Sequence, residues 1–295
     1  MKNLVSIIIP VFKNSYFLND SLSSAINQTY KNIEIIVVND GSPEKKRIHK
    51  IVKKFKKKSN IRLINLRNNK GVGYALNMGI KNSKGTYISW LSHDDYLHNA
   101  KIKKQIFALK KSKKEICFSN FIQVDHFKNK IKTIKISKNL FEPKHSILFR
   151  DNFNFCSALL RKSIFKKVGY FDVKKKHTQD YNMMFRIFNI YKPIILSEFL
   201  FFSRTHVKQN SKLFREEAVL EKEAMYLSKF KEMKFIFLKS NLFKKIYITF
   251  FLRDKDLKKI TYNLIKLIKA QTGILYLILR TVILLNEILL FIKRR

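Results

Sequence analysis

Two adjacent carboxylates, Asp94 and Asp95, directly follow an apolar run from Thr86 to Leu91 that reads as a buried strand. Hard divalent cations take oxygen ligands and keep positions open for substrate phosphates, and in open α/β sheets ligands collect at the carboxyl ends of strands. The placement points to a metal and phosphate site. An ordinary solvated turn is the competing reading, because aspartate favours turns for backbone reasons. Asp40 closes a second apolar run, in Asn39-Asp40-Gly41-Ser42. A fourth carboxylate, Asp180, follows Gln179 in the first turn of an expected helix. The helix dipole favours it there, so it is either a capping group or a reactive one. His206, in Arg204-Thr205-His206-Val207, has on its own the ordinary reading of a structural or solvated histidine.

The elements that must position these groups follow from hydrophobic periodicity. Val5 to Val11 is a near-continuous apolar run, as expected for a parallel strand buried on both faces. Ser15 is the expected N-cap of a helix carrying Leu18, Leu22, Ala25 and Ile26, and Ile33 to Val38 is the next strand. A right-handed βαβ crossover makes these two strands parallel, so that Phe12 and Asp40 open on the same edge. A Lys-rich helix over 45–57 leads to a strand at 61–66, and a helix over 74–81 leads to the strand before His93. Gly71-Val72-Gly73 is not a dinucleotide fingerprint, since Leu76 stands where the third glycine belongs and the preceding segment is polar. Further on, the pattern predicts a helix over 101–111, strands over 116–124, 157–160 and 193–202, and a helix from about Thr178.

The chain has 295 residues and a formal charge of +40, with 61 basic and 21 acidic side chains. Such an excess points to an anionic membrane surface, an anionic substrate or nucleic acid, although a Lys- and Asn-rich composition also produces it. Lysine is spread through helices and loops with no helix-turn-helix, zinc or RNA-binding motif, which argues against nucleic acid. Cys117 and Cys156 form no motif, and the apolar N-terminal stretch is too short for a signal peptide, so a cytoplasmic location is expected. From about residue 212 the chain reads as a helical, basic region. Its last part, 273–292, is long enough to span a bilayer, but Arg280 and Glu287 are costly at depth. An interfacial helix at the inner face of the plasma membrane is the economical alternative, and a helix packed on the domain or in a dimer is the third.

Taken together, VSIIIPVFKN, IEIIVVNDGS, RNNKGVGYALNMGIKNSKGTYISWLSHDD, VGYFD, TQDYNMMFR and RTHVKQNS resemble family 2 of the nucleotide-sugar glycosyltransferases. The order and spacing of the pieces carry the resemblance, which covers residues 3 to 211. It implies the α/β GT-A fold, with a mostly parallel central sheet flanked by helices, a catalytic domain over 1–211 and a helical extension over 212–295. It also implies that Pro10 and Phe12 line the nucleotide base pocket, that Asp40 accepts a hydrogen bond from the base, and that Asp94 and Asp95 form the metal and ribose motif. By the same resemblance His206 meets a Mg²⁺ or Mn²⁺ ion or the diphosphate, and Asp180 is the catalytic base. Two positions depart from the family pattern, Ser92 and Asn39, where many members carry aspartate. The first leaves open which of Asp94 and Asp95 ligates the metal.

The implied activity is inverting transfer from a nucleotide-diphospho-sugar, with UDP expected, to a glycan or lipid-linked acceptor in lipopolysaccharide, capsule or other surface-polysaccharide synthesis. A degenerate member that binds without catalysis and a sugar nucleotidyltransferase are the alternatives. The latter needs a Gly-rich loop after the first strand, and residues 10–14 contain no glycine.

Overall fold

The computed structural model describes residues 3–56, 59–136 and 153–207 and, more sparsely, positions between 209 and 225. The chain divides into a unit Met1–Ala218 and a second unit Val219–Arg295, of which only the first few residues are described. The expected tail helix over 273–292 lies outside the described residues. Among the described residues no helix is long and apolar enough to cross a membrane.

The first half of the larger unit follows the hydrophobic runs closely. Strands β1 (Val5–Val11), β2 (Ile33–Asn39), β3 (Ile61–Asn65) and β4 (Tyr87–Trp90) lie in the order β3-β2-β1-β4, all parallel. The crossovers carry helices α1 (Leu18–Ile26), α2 (Lys45–Lys56) and α3 (Val72–Lys81). Every residue of β1 is buried, which is why its sequence shows no polar alternation. Pro10 is tolerated in this central strand for a geometric reason. Leu4 and Ile8 turn their carbonyls toward β4, so by alternation the nitrogen of Pro10 faces that side too, beyond the last paired residue, Trp90. No ladder donor is lost, and the sheet forks open at that point.

The other half is mixed rather than mostly parallel. After β5 (Tyr96–Leu97) come α4 (Lys101–Ser112), β6 (Ile116–Val124), β7 (Lys130–Ile134), β8 (Leu159–Arg161), the short helix α5 (Ile164–Val168), α6 (Gln179–Phe188) and β9 (Ile194–Arg204). The sheet continues β4-β8-β6-β9-β5, with β7 paired to β6. Strand β8 runs antiparallel to both β4 and β6, which restores β6 and β9 to the direction of β1, so their ends reach the same edge as Asp40 and Asp94. Neither β5 nor β7 was expected. Strand β5 is only two residues long, and β7 is exposed along most of its length, so neither carries an apolar run.

Ser15 does not cap α1. It begins a 3₁₀ turn over Ser15–Phe17, and the Glu44 carboxylate, from the loop after β2, accepts from the backbone nitrogens of Asn14 and Ser15 and from the Ser15 hydroxyl. A carboxylate from 29 residues away thus does the work the local sequence assigned to serine.

One core lysine has a measurable consequence. Lys101, at the start of α4, is fully buried and donates to Ala158 O at 3.0 Å and Ser89 Oγ at 3.2 Å. Burial lowers its pKa to about 7, outweighing the opposing pull of Cys156 and Cys117, and the Cys117 thiol is itself pushed up to about 12. Between pH 7 and the unfolded value of about 10.4 the unfolded chain holds a proton that the folded chain has shed. Stability therefore rises with pH through that window and is lowest below pH 7, where the folded core must carry the charge. The full swing is on the order of 4 kcal/mol. Urea denaturation of Lys101→Met at several pH values should show a variant more stable than wild type at pH 6, with the difference vanishing toward pH 10. A parallel pH dependence in both proteins would remove Lys101 from the account.

Candidate active site

The parallel strands deliver Val11 opposite Asn39, and Asp40 N donates to Val11 O at 2.9 Å. Asn39 donates through Nδ2 to Asn65 Oδ1 and accepts Ser42 N through Oδ1, both at 2.9 Å. An aspartate at position 39 could not make the first of these bonds. Gly41 has φ +66°, and a Cβ there would meet the Asn68 carbonyl carbon at 2.3 Å, so the turn admits only glycine. That tight turn aims the buried Asp40 carboxylate at the loop before α3, where Oδ1 accepts Lys70 N and Oδ2 accepts Gly71 N, each at 2.8 Å. Burial raises the Asp40 pKa, against the pull of these two bonds. Each oxygen keeps a lone pair for a further donor. Pro10 is buried near the end of β1, and Phe12, just past it, is half-buried, with the Lys13 ammonium 5.4 Å from its ring centroid.

After β4 the chain turns through Ser92 to Asp95, closed by Asp95 N to Ser92 O at 3.2 Å. The two carboxylates then part company. Asp94 Oδ2 lies 3.1 Å from His206 Nε2, whereas Asp95 Oδ1 accepts the backbone nitrogen of Arg204 at 2.7 Å. Arg204, only 2% exposed, also donates Nε to the Asp94 carbonyl at 2.8 Å, Nη1 to His126 O at 3.1 Å and Nη2 to Asp20 Oδ2 at 2.6 Å. Its guanidinium sits 4.3 Å from the centroid of Phe17. Burial and then the charge of Asp94 push the Asp95 carboxyl well up, with Arg204 resisting. Burial pushes Asp94 up as well, but the His206 hydrogen bond and the charges of His93 and His206 outweigh it and hold Asp94 below the usual carboxylate range. Asp94 is the ionised member of the pair, and Asp95 is tied into the frame.

Arg204 is the framing residue of the candidate site that sequence reasoning passed over. Its signal was there, since it is the only basic residue of the apolar strand β9 and ends it two positions before His206. Ser92, where the family often has aspartate, has its hydroxyl 3.6 Å from Cys156 Sγ. Burial and then Asp95 push that thiol well up, so a further acid at position 92 would meet a buried, neutral neighbour.

Asp180 stands half-buried in the first turn of α6, and its Oδ1 accepts Tyr181 N at 2.9 Å. The helix reaches the site edge through a chain of contacts. Gly73, in the first turn of α3, lies beneath Gln179, a Cβ there meeting that of Gln179 at 3.8 Å. Asn77 of α3 brackets Phe171, donating to its carbonyl at 2.8 Å and accepting its N–H at 2.9 Å, and the Trp90 ring packs edge-on to Phe171 at 6.0 Å. The Asp40 loop, the end of β4 and the start of α6 are thereby held together.

A divalent ion can be tested against these residues. Two donors about 2.1 Å from one cation at a right angle lie about 3.0 Å apart, which matches the Asp94–His206 separation. His206 Nδ1 is buried without a hydrogen-bond partner, so Nε2 is the nitrogen presented to Asp94. Among the described residues no cluster of three or more His, Cys, Asp or Glu could hold a metal. The pair fits a cation that takes its remaining ligands from water and substrate phosphates, not one held in an all-protein cage.

Comparisons with known proteins agree with this architecture. An uncharacterized glycosyltransferase of Rickettsia conorii is 40% identical over 216 residues, covering 71% of this chain and 35% of the relative, so the chain spans about a third of that protein. An uncharacterized glycosyltransferase of Methanocaldococcus jannaschii is 31% identical over 205 residues, covering 68% of this chain and 70% of the relative. The crystal structure of S. aureus TarS 1-349 in complex with UDP-GlcNAc superposes with a TM-score of 0.61 at 17% identity, over 84% of this chain and 70% of that one, which shows a common GT-A fold. The sequence profile described as "Glycosyl transferase family 2" matches residues 6–169, from within β1 to the end of α5. With more than half of the chain matched in this way, and the matched motifs gathered on one edge of a GT-A sheet, the protein belongs to glycosyl transferase family 2.

Proposed function

We propose that the protein is an inverting, metal-dependent hexosyl- or N-acetylhexosaminyltransferase that moves a sugar from a nucleotide-diphospho-sugar to a glycan or lipid-linked acceptor in surface-polysaccharide synthesis, lipopolysaccharide or capsule included. The reading assigns catalysis to residues 1–211 and membrane attachment, at the cytoplasmic face, to residues 212–295. The observation that carries it is the 3.1 Å approach of Asp94 and His206 on the edge that also bears Asp40. Asp94 and His206 would hold Mg²⁺ or Mn²⁺, which when bound neutralises the charge that develops on a departing diphosphate. Asp40 accepts a hydrogen bond from the base, while Pro10 and Phe12 line the pocket around it. Asp180 takes the proton from the acceptor hydroxyl as the new C–O bond forms on the face opposite the diphosphate, which inverts the anomeric carbon. UDP donors come first among those to test, because the TarS structure holds UDP-GlcNAc.

The test is release of nucleoside diphosphate from UDP-, GDP- and dTDP-sugars with host membranes as acceptor source, with Mn²⁺ or Mg²⁺ and again with EDTA. EDTA-sensitive release from one donor is the expected result. Release that survives EDTA would remove the metal, pyrophosphate as product would make the protein a nucleotidyltransferase, and failure to bind any nucleotide sugar would make it a degenerate member.

A further inference from the structure

Helix α4 carries a surface that neither the fold nor the site accounts for. Its inner face buries Ile102, Gln105, Ile106 and Leu109 against the sheet. On the outer face Phe107 is 68% exposed, far more than a core phenylalanine. Side chains three and four positions away are the neighbours of a residue on a helix surface. For Phe107 these are Lys103, Lys104, Lys110 and Lys111, and all four are exposed lysines. The helix contains no acidic residue, and among the described residues the one ion pair on this face joins Lys104 to Glu198 at 3.1 Å, between two side chains each nearly half exposed. Lys110 and Lys111 suit the C-terminal end of the dipole, but Lys103 and Lys104 crowd the N-terminal end, where cations are disfavoured. The N-terminal pair thus works against the helix that bears it, and the Phe107 ring is left in water.

We infer that this face of α4 docks on an anionic lipid bilayer, with Phe107 entering the interface and the four lysines reaching lipid phosphates one turn to either side. Lysine stems lie along apolar surface while their ammonium heads stay in the polar layer, so a central ring and flanking lysines suit the boundary between acyl chains and headgroups. A nucleic acid would satisfy the lysines but offers a single ring on a flat helix face no comparable apolar layer. Helix α4 also follows the Asp94–Asp95 turn through β5 and three linking residues, with His98 N held by Leu200 O at 3.0 Å. Docking α4 holds the metal-binding edge of the sheet to the surface that carries a lipid-linked acceptor. The inference rests on the membrane reading above but moves the contact from the tail to the catalytic unit.

The experiment uses the full chain and no substrate. Protein is sedimented with phosphatidylcholine vesicles with and without phosphatidylglycerol, and Phe107→Trp reports depth by its emission and by quenching with brominated lipid, against the single buried native tryptophan, Trp90. Expected are binding that requires phosphatidylglycerol, quenching of the introduced indole, and losses of affinity of about tenfold for Phe107→Ser and for the Lys110→Gln, Lys111→Gln pair. Far-ultraviolet circular dichroism should be unchanged, because these side chains are exposed. Vesicle binding with an unquenched, unshifted indole at 107 would overturn docking through α4 while leaving membrane attachment by the tail intact. Absence of vesicle binding would overturn both, and the same variants losing affinity for polyuridylate but not for vesicles would reassign the face to nucleic acid.

Discussion

Asp94→Asn is expected to lower sugar transfer about a thousandfold at saturating donor and to raise the Mn²⁺ concentration needed for half-activity, with little change in stability. The asparagine keeps the shape of the side chain and can still meet His206, but it loses the charge that would bind a hard cation. Asp94 is also the charge that pushes the buried Asp95 carboxyl upward, so its removal relieves a repulsion inside the protein. Asp95→Asn should behave differently. Its oxygen accepts the Arg204 backbone nitrogen at 2.7 Å, and the side chain of that arginine also ties the Asp94 carbonyl to Asp20. An asparagine oxygen can keep that bond, so the expected stability cost is below about 1 kcal/mol, with a smaller loss of rate and an unchanged metal requirement. Metal titrations of activity beside urea denaturation of both variants separate the two roles. If Asp95→Asn abolished the metal requirement and Asp94→Asn retained it, the assignment of ligand and frame would have to be reversed.

The second large effect is at Asp180. Removing a general base costs about 10²–10⁴ in rate, so Asp180→Asn should lower kcat within that range while nucleotide-sugar affinity, measured by calorimetry, stays at the wild-type value. A residue that merely capped α6 would behave otherwise. Its loss would lower stability by about 0.3–1 kcal/mol, the value of a first-turn carboxylate, and leave kcat nearly intact. Asp180 does accept the N–H of Tyr181 in that first turn, so a small stability loss is expected alongside the catalytic one. The discriminating quantity is kcat at saturating donor, and retention of most of it would end the catalytic assignment.

The parallel half of the sheet was legible because its strands are buried on both faces and their apolar runs are uninterrupted. β1, β2 and β4 fall within a residue or two of where the runs place them, and the crossover rule alone brings Asp40 and Asp94 to one edge. α2 and α4 were legible from helical spacing, and α3 begins only two residues before its expected start. The edge pieces were not. β5 owes its existence to hydrogen bonds with β9, from more than 100 residues later, and β7 to its hairpin with β6. Ser15 looked like a helix cap because the competing acceptor, Glu44, belongs to another loop.

By itself, the sequence determined the candidate groups and the family pattern: an acid after the second strand, two after the fourth, one at a helix start, and a histidine late in the domain. Those are properties of short windows, set by spacing and residue type. Tertiary structure alone decided how the groups divide the work. Asp94 and Asp95 are indistinguishable as neighbours in a chain and differ only because His206, 112 positions from Asp94, faces one while Arg204, 109 positions from Asp95, holds the other. Lys101 and Lys103 are likewise similar letters in one helix, yet the sheet buries the first until its pKa falls to about 7 and leaves the second beside Phe107 at the surface. Burial and charge pairing are set by which distant segments pack together, and local periodicity carries no record of that partner.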